Sequence, residues 1–397
     1  MNITALSIIA CLATLVGCAS APVPPIPAPL LWQDQVFNYD AALATITKRD
    51  LFALDADLQA LLKGSRLERA SAQVRVNRLT ALIYGPRFGV NGSKGSVFPY
   101  QMGHSSIAAE TWRRKRGDCL SLLVLTYAIA KAMDLPATMQ EVRVPQIVDR
   151  YGGVDYVAGH VNLLIKNGGR LQISDGFNFG NVVIDFEPQI GSQREGSALT
   201  EDAILARFYN NLAAEYLAAG QLDFAYAHFK AAIAADASFS PSYANLALVY
   251  KRQGLLPYAE RLLRHAIALD DDNDIALASL HRLLQSQGRD SEAAQFAKLL
   301  EARREKNPYY WFGLGLNYFQ QEDYRRAIAA LEQATALSSG FEEVHRYLTL
   351  AYLRTGNAQA AKKQAAVVAE LPVGTTPPGA PVDAMVARKR MKKLYGD

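Results

Sequence analysis

Cysteine is scarce in this chain, with three among 397 residues, at positions 11, 18 and 119. Two of them fall in the first twenty residues, so the body of the protein holds a single thiol with no disulfide partner. Charge of one sign is scarce too. Forty-two Lys and Arg against 38 Asp and Glu leave a formal charge of +4. That implies no basic face before the last few residues and argues against a nucleic-acid binder. Only six histidines occur. Four of them, His228, His265, His281 and His345, are scattered without metal-ligand spacing, so neither a metal nor a cofactor is expected. A long apolar run extends from Ile3 to Val16, and no other segment could span a bilayer. What remains is ordinary soluble composition, 50% apolar and 20% charged, over a length that suits two or three compact units.

The N-terminal run is too short for a comfortable membrane span and suits the core of a signal peptide, although no Lys or Arg precedes it. It closes in Leu15-Val16-Gly17-Cys18, which resembles the lipobox of bacterial lipoproteins. The resemblance implies cleavage of residues 1–17 and lipid attachment at Cys18. An ordinary secretory signal cut nearby also fits. Ala19, rather than Asp, follows the Cys. By the same resemblance the destination is the bacterial cell envelope, anchored at the outer membrane and facing the periplasm. The following "ASAPVPPIPAPLLW" is too proline-rich for a helix or a central strand and reads as an extended tether over 18–35. With Cys11 removed and Cys18 acylated, Cys119 is the sole thiol in an oxidising compartment.

From about Ala206 the sequence repeats every 34 residues. Glycines stand at 220, 254, 288 and 356, with Glu322 in the one empty slot. Five residues after each position comes an alanine, at 225, 259, 293, 327 and 361. Four residues before come Tyr216, Tyr250, Leu284, Tyr318 and Tyr352. The pattern describes two helices per unit, joined by a turn that glycine permits and packed closely across the alanine. It resembles the tetratricopeptide repeat (TPR) family, best over "YYWFGLGLNYFQQEDYRRAIAALEQATAL". The third unit departs from it, with His281 at a normally small position and Leu300 where Ala is common, which predicts distorted packing there. The resemblance implies an all-α TPR solenoid of about five units over 206–372, with a protein or peptide substrate or partner in its groove. A bracing role for the solenoid remains the alternative. Residues 373–397 form a Pro/Gly linker and a basic tail.

Between tether and repeats, residues 36–195 are enough for one domain. The stretch from Asp40 to Ile83 reads as helical, and "PRFGVNGSKGSVFPYQMG" as a loop. Ser105 or Ser106 is placed to cap a short helix ending near Arg113-Arg114-Lys115. Gly117 then makes a turn, and Asp118 caps a second helix from Cys119 to about Met133. Cys119 falls in its first turn, where unpaired amides and the dipole favour a thiolate. A cysteine ahead of an apolar helix is also an ordinary buried small residue. Outside the repeats two histidines remain, His104 and His160. His160 opens a strand-like run to Lys166, followed by Asn167-Gly168 and a second run to Asp175. A two-residue turn at Asn-Gly puts Asp175 directly across from His160, and a three-residue loop would shift that register.

"ETWRRKRGDCLSLLVLTYAIAKAMDLPA", "GHVNLLI" and "LQISDG", taken in order, resemble the transglutaminase-like superfamily, whose core is papain-like. The resemblance covers about Val76 to Asp175 and implies an α+β papain-like domain with a Cys119, His160 and Asp175 triad. The Cys119 amide, Gln101 and Trp112 are the candidates for oxyanion donors. The implied activity is thiol acyl transfer on amides, as a cysteine peptidase or amidase, or as a cross-linking transglutaminase. A non-catalytic TPR scaffold or assembly factor with a vestigial domain is the competing reading.

Overall fold

The structure is a computed structural model that describes residues 23–65, 67–85, 98–99, 101, 103–142, 148–151, 154–157, 160–166, 181–186, 196–339 and 342–370. The signal segment, Cys18, Asp175 and the basic tail lie outside the described residues. Among those residues no helix is long and apolar enough to cross a membrane.

After α1 (Ala28–Leu31), the middle domain opens with short helices: α2 (Lys48–Leu51), α3 (Ala56–Gly64) and α4 (Ala72–Tyr84). The helical stretch expected from Asp40 to Ile83 is therefore broken, because three separate caps restart it. Thr47 and Asp50 form a reciprocal capping box on α2, Asp55 caps α3, and Ser71 caps α4. Next come α5 (Ala108–Arg114) and α6 (Cys119–Ala132). From Leu120 to Thr126 every residue of α6 is buried, so it is a central helix rather than a surface one. It packs on α4 and α5, and against the sheet at β1 (Ala137–Val142) and β4 (His160–Ile165). A two-stranded ribbon, β2 (Val148–Tyr151) and β3 (Val154–Val157), separates those strands in sequence. With β5 (Val182–Ile184) and β6 (Ser197–Ala198) the main sheet has the order β5-β4-β1-β6, and all its pairings are antiparallel.

The expected strand from His160 is present, and the Asn167-Gly168 hairpin expected after it lies outside the described residues. At Leu163–Ile165 one edge of β4 pairs with β1 and the other with β5. All six residues of β4 are buried, so both faces are covered. Val161, Leu163 and Ile165 join the core containing α6, which assigns His160, Asn162 and Leu164 to the opposite face.

The C-terminal half is five helix pairs: α7 (Glu201–Ala218) with α8 (Leu222–Ala235), α9 (Ser240–Arg252) with α10 (Leu256–Leu269), α11 (Asp274–Ser286) with α12 (Asp290–Glu305), α13 (Pro308–Gln320) with α14 (Tyr324–Leu337), and α15 (Glu342–Arg354) with α16 (Ala358–Glu370). The solenoid expected from the 34-residue period is present. The turn glycines at 220, 254, 288 and 356 have φ between 71° and 78°, and Glu322 adopts φ 60° in the slot without one. The period reports this left-handed turn. In the third unit, His281 is accommodated by a 2.9 Å contact between Nδ1 and the Ala293 carbonyl. The apolar core of the first three units ends on α12, and a separate cluster begins at Phe312 on α13.

Two joints bind the halves. Ile204, Leu205, Phe208 and Tyr209 of α7 belong to the middle-domain core, while Ala213, Ala214 and Leu217 of the same helix belong to the solenoid core. The second joint is the segment expected as a tether. From residue 26 it lies on the first two units, with Leu31 and Phe37 inside their core. Pro29 does join a helix, at the first turn of α1, where a missing N–H leaves no bond unmade.

Candidate active site

The thiol is placed by the turn ahead of α6. Helix α5 ends at Lys115, which has φ 53° and lays its ammonium over the Trp112 ring, 2.8 Å from the centroid. Burial holds that ammonium below its ordinary value. Gly117 follows, and a Cβ there would stand 2.8 Å from the Ser121 Cβ. Asp118 then caps α6, accepting from the Ser121 amide at 2.7 Å and from the Ser121 and Ser105 hydroxyls at 2.5 Å each. Ser105 and Ser106 were expected to cap α5, but its N-cap is Ile107 with no side-chain bond. Their polar groups are drawn instead to the start of α6, the Ser106 amide donating to the Ser121 hydroxyl at 2.8 Å.

This cap is also tied to the solenoid. The Asn211 side-chain amide donates to the Ser105 hydroxyl at 2.9 Å, and Glu215 accepts from the His104 and Ser105 amides at 2.6 and 3.3 Å. Cys119 sits half-buried at the first helical position, beside the core and outside any disulfide. The sequence-predicted helix start, cap and thiol position all stand as expected. Gln101 is held alongside this turn, its amide donating to the Gly117 carbonyl at 2.9 Å.

His160 heads β4, across from Val142, on the strand against which α6 packs. Its Nε2 lies 2.7 Å from Asp185 Oδ2, with side chains 3% and 12% exposed. The backbone at Asp185 is held in place, because the Tyr84 hydroxyl donates to the Asp185 backbone carbonyl at 3.1 Å and the Tyr84 ring stacks on Phe186. Burial pushes the Tyr84 phenol well above its ordinary value, so it remains a donor. Asp185 was missed in the sequence. Its signal is the β-branched run Val182-Val183-Ile184 immediately ahead of it, a strand too short to register beside the longer hairpin pattern. Asp175, the carboxylate expected from the resemblance, lies outside the described residues. His104 goes elsewhere, its ring 3.4 Å from Glu215.

The fold thus defines a class: a small α+β domain, built on one buried helix and a mixed-length antiparallel sheet, seated on a helical repeat solenoid. The tetratricopeptide repeat profile matches residues 308–341, within the fourth unit and the turn after it. Among solved structures, the chain resembles MamA from Desulfovibrio magneticus RS-1 at 18% identity and TM-score 0.24, covering 42% of this chain and 94% of that one. It also resembles YrrB, described as a TPR protein with an unusual peptide-binding site, at 17% identity and TM-score 0.24, over 46% of this chain and 92% of that one. No curated protein matches the chain.

Proposed function

We propose that the protein is an envelope lipoprotein, anchored through Cys18 at the outer membrane, whose middle domain performs thiol acyl chemistry on amides. The observation that carries this reading is the buried 2.7 Å His160–Asp185 pair, at the head of a strand whose other face packs against the helix that Cys119 heads. With Nε2 engaged by the carboxylate, Nδ1 is the ring atom that takes the thiol proton. The Cys119 sulfur attacks the amide carbonyl, and the imidazolium gives its proton to the departing nitrogen. Water then cleaves the thioester, releasing a carboxylic acid and restoring the thiol. This is the course of a peptidase or amidase, whereas an amine acceptor in place of water gives a cross-link. Asp185 keeps the ring oriented and stabilises its charged form. The solenoid holds the substrate protein or a partner.

A second reading, a TPR scaffold with a vestigial domain, is favoured by the repeat profile over 308–341. Labelling with a chloroacetamide probe at pH 7 separates the two. Catalysis requires Cys119 to react well above its rate in the urea-unfolded chain, and His160→Ala to abolish the excess. Reaction at the unfolded rate rules out the enzyme.

A further inference from the structure

Gln140 on β1 lies directly across from Asn162 on β4. One further step in the β4–β5 register sets Asp185 across from Asn162 on its other side. Opposed residues share a sheet face, and this is the face that carries His160, two residues back along β4. The four form one polar patch: carboxamide, carboxamide and carboxylate across three strands, with the imidazole beside them. Three of them have work assigned. Asp185 holds His160, and Gln140 Nε2 donates to the Gly196 carbonyl at 3.2 Å, which fixes the direction of its oxygen.

The oxygens are different. Gln140 Oε1 and Asn162 Oδ1 are buried and have no hydrogen-bond partner among the described residues. Their residues are 4% and 2% exposed. A stranded acceptor is costly, and the other face of the same strand avoids it with Val161, Leu163 and Ile165. Two acceptors on adjacent strands, with Cβ atoms about 5 Å apart, match the two N–H bonds of one primary amide or ammonium group.

We infer that Gln140 and Asn162 form a nitrogen subsite, which binds the N–H groups of a primary carboxamide or amine and so selects the nitrogen presented to His160. The inference rests on the thiol acyl chemistry proposed above. In that chemistry the bound nitrogen is either the one that leaves on acylation or the amine that attacks the thioester.

The test compares alkylation of Cys119 in the full chain by iodoacetamide and by its N,N-dimethyl analogue, which has no N–H, with free cysteine as the reference. The subsite predicts a preference for iodoacetamide at least tenfold above that of free cysteine. Asn162→Leu and Gln140→Met bring the preference down to the free-cysteine value, and hold or raise the melting temperature. An unchanged preference in both variants overturns the inference, and a raised melting temperature alongside it assigns the patch to structure alone. If both reagents react only at the unfolded rate, the thiol chemistry fails and binding decides the subsite independently. In that case the Asn162 and Gln140 side-chain amide resonances shift with acetamide and stay fixed with N,N-dimethylacetamide. No shift with either overturns the subsite.

Discussion

The His160 imidazole and the Asp185 carboxylate meet at 2.7 Å through Nε2, with side chains that are almost entirely buried. A buried carboxylate on one ring nitrogen fixes the tautomer and orientation of the other. Asp185→Asn is therefore expected to slow Cys119 acylation by about 10²- to 10⁴-fold without unfolding the domain. Asp175→Asn is expected to change it far less. Stopped-flow acylation of the two variants decides which carboxylate serves His160, and the reverse order would move the role to Asp175.

Much of this was legible in the sequence, because local signals carried it. Gly117, Asp118 and the apolar run after Cys119 dictate a capped, buried helix, and the 34-residue period dictates the solenoid. What escaped were pairings between distant segments. Nothing near Asn167-Gly168 shows that β5 pairs with β4 and brings Asp185 to His160. The tether was misread for a related reason. Prolines at 22, 24, 25, 27 and 29 describe the local chain, whereas Leu31, Trp32 and Phe37 find their partners at Tyr226 and Tyr250, in the first two repeat units.

Those partners make the segment a strap. Phe37 is fully buried and lies flat on Tyr226, with ring centroids 4.5 Å apart and planes 12° from parallel. The Tyr226 hydroxyl accepts from the Gln33 amide at 2.9 Å and donates to Asp34 at 2.7 Å, and Lys230 closes on the same carboxylate. Phe37→Ala is expected to cost about 3–5 kcal/mol in urea unfolding. Tyr226→Phe keeps the stack and is expected to cost only about 1 kcal/mol per lost bond. Equal losses in the two variants would contradict the stacking account.

Glu322 occupies a left-handed turn that the other four units give to glycine. The strain of a side chain at φ 60° is about 1 kcal/mol, so Glu322→Gly is expected to raise the stability of the fourth unit by up to that amount. Gly315 makes the opposite case. A Cβ there would lie 2.6 Å from the Leu331 side chain, so Gly315→Ala is expected to cost about 1–3 kcal/mol by overpacking. Calorimetry of the two variants should show shifts of opposite sign.

Acid should loosen the first two units. His228 is buried between Tyr209 and Tyr216, with its Nδ1 2.8 Å from the Phe224 carbonyl, and His265 lies edge-on to Tyr243. Burial holds both imidazoles below the ordinary histidine value. The unfolded chain therefore takes up protons first, and stability that is complete above about pH 6.5 falls as the pH drops below it. The urea midpoint at pH 5.5 is expected to lie below that at pH 7.5. His228→Phe, which keeps an aromatic ring there, should flatten the difference, and an unchanged slope would locate the proton uptake elsewhere.

The solenoid should not unfold as one body. Its first core closes with Ala293 and Phe296 on α12, and its second, formed by Phe312, Leu331, Ala334, Val344 and Leu348, begins on α13. Between them α12 buries only Ala293 and Leu300 of its 16 residues, so little apolar surface links the third unit to the fourth. In a repeat array, stability depends on the interface between neighbours, and a weak interface divides the array into separate cooperative units. Leu331→Ala is expected to cost about 2–5 kcal/mol and to lose amide protection throughout residues 308–370. Protection over 201–300 should stay at its wild-type level. Hydrogen exchange with mass spectrometry reads both regions at once, and a loss that extends through α12 into α7–α11 would mean the solenoid is a single cooperative unit.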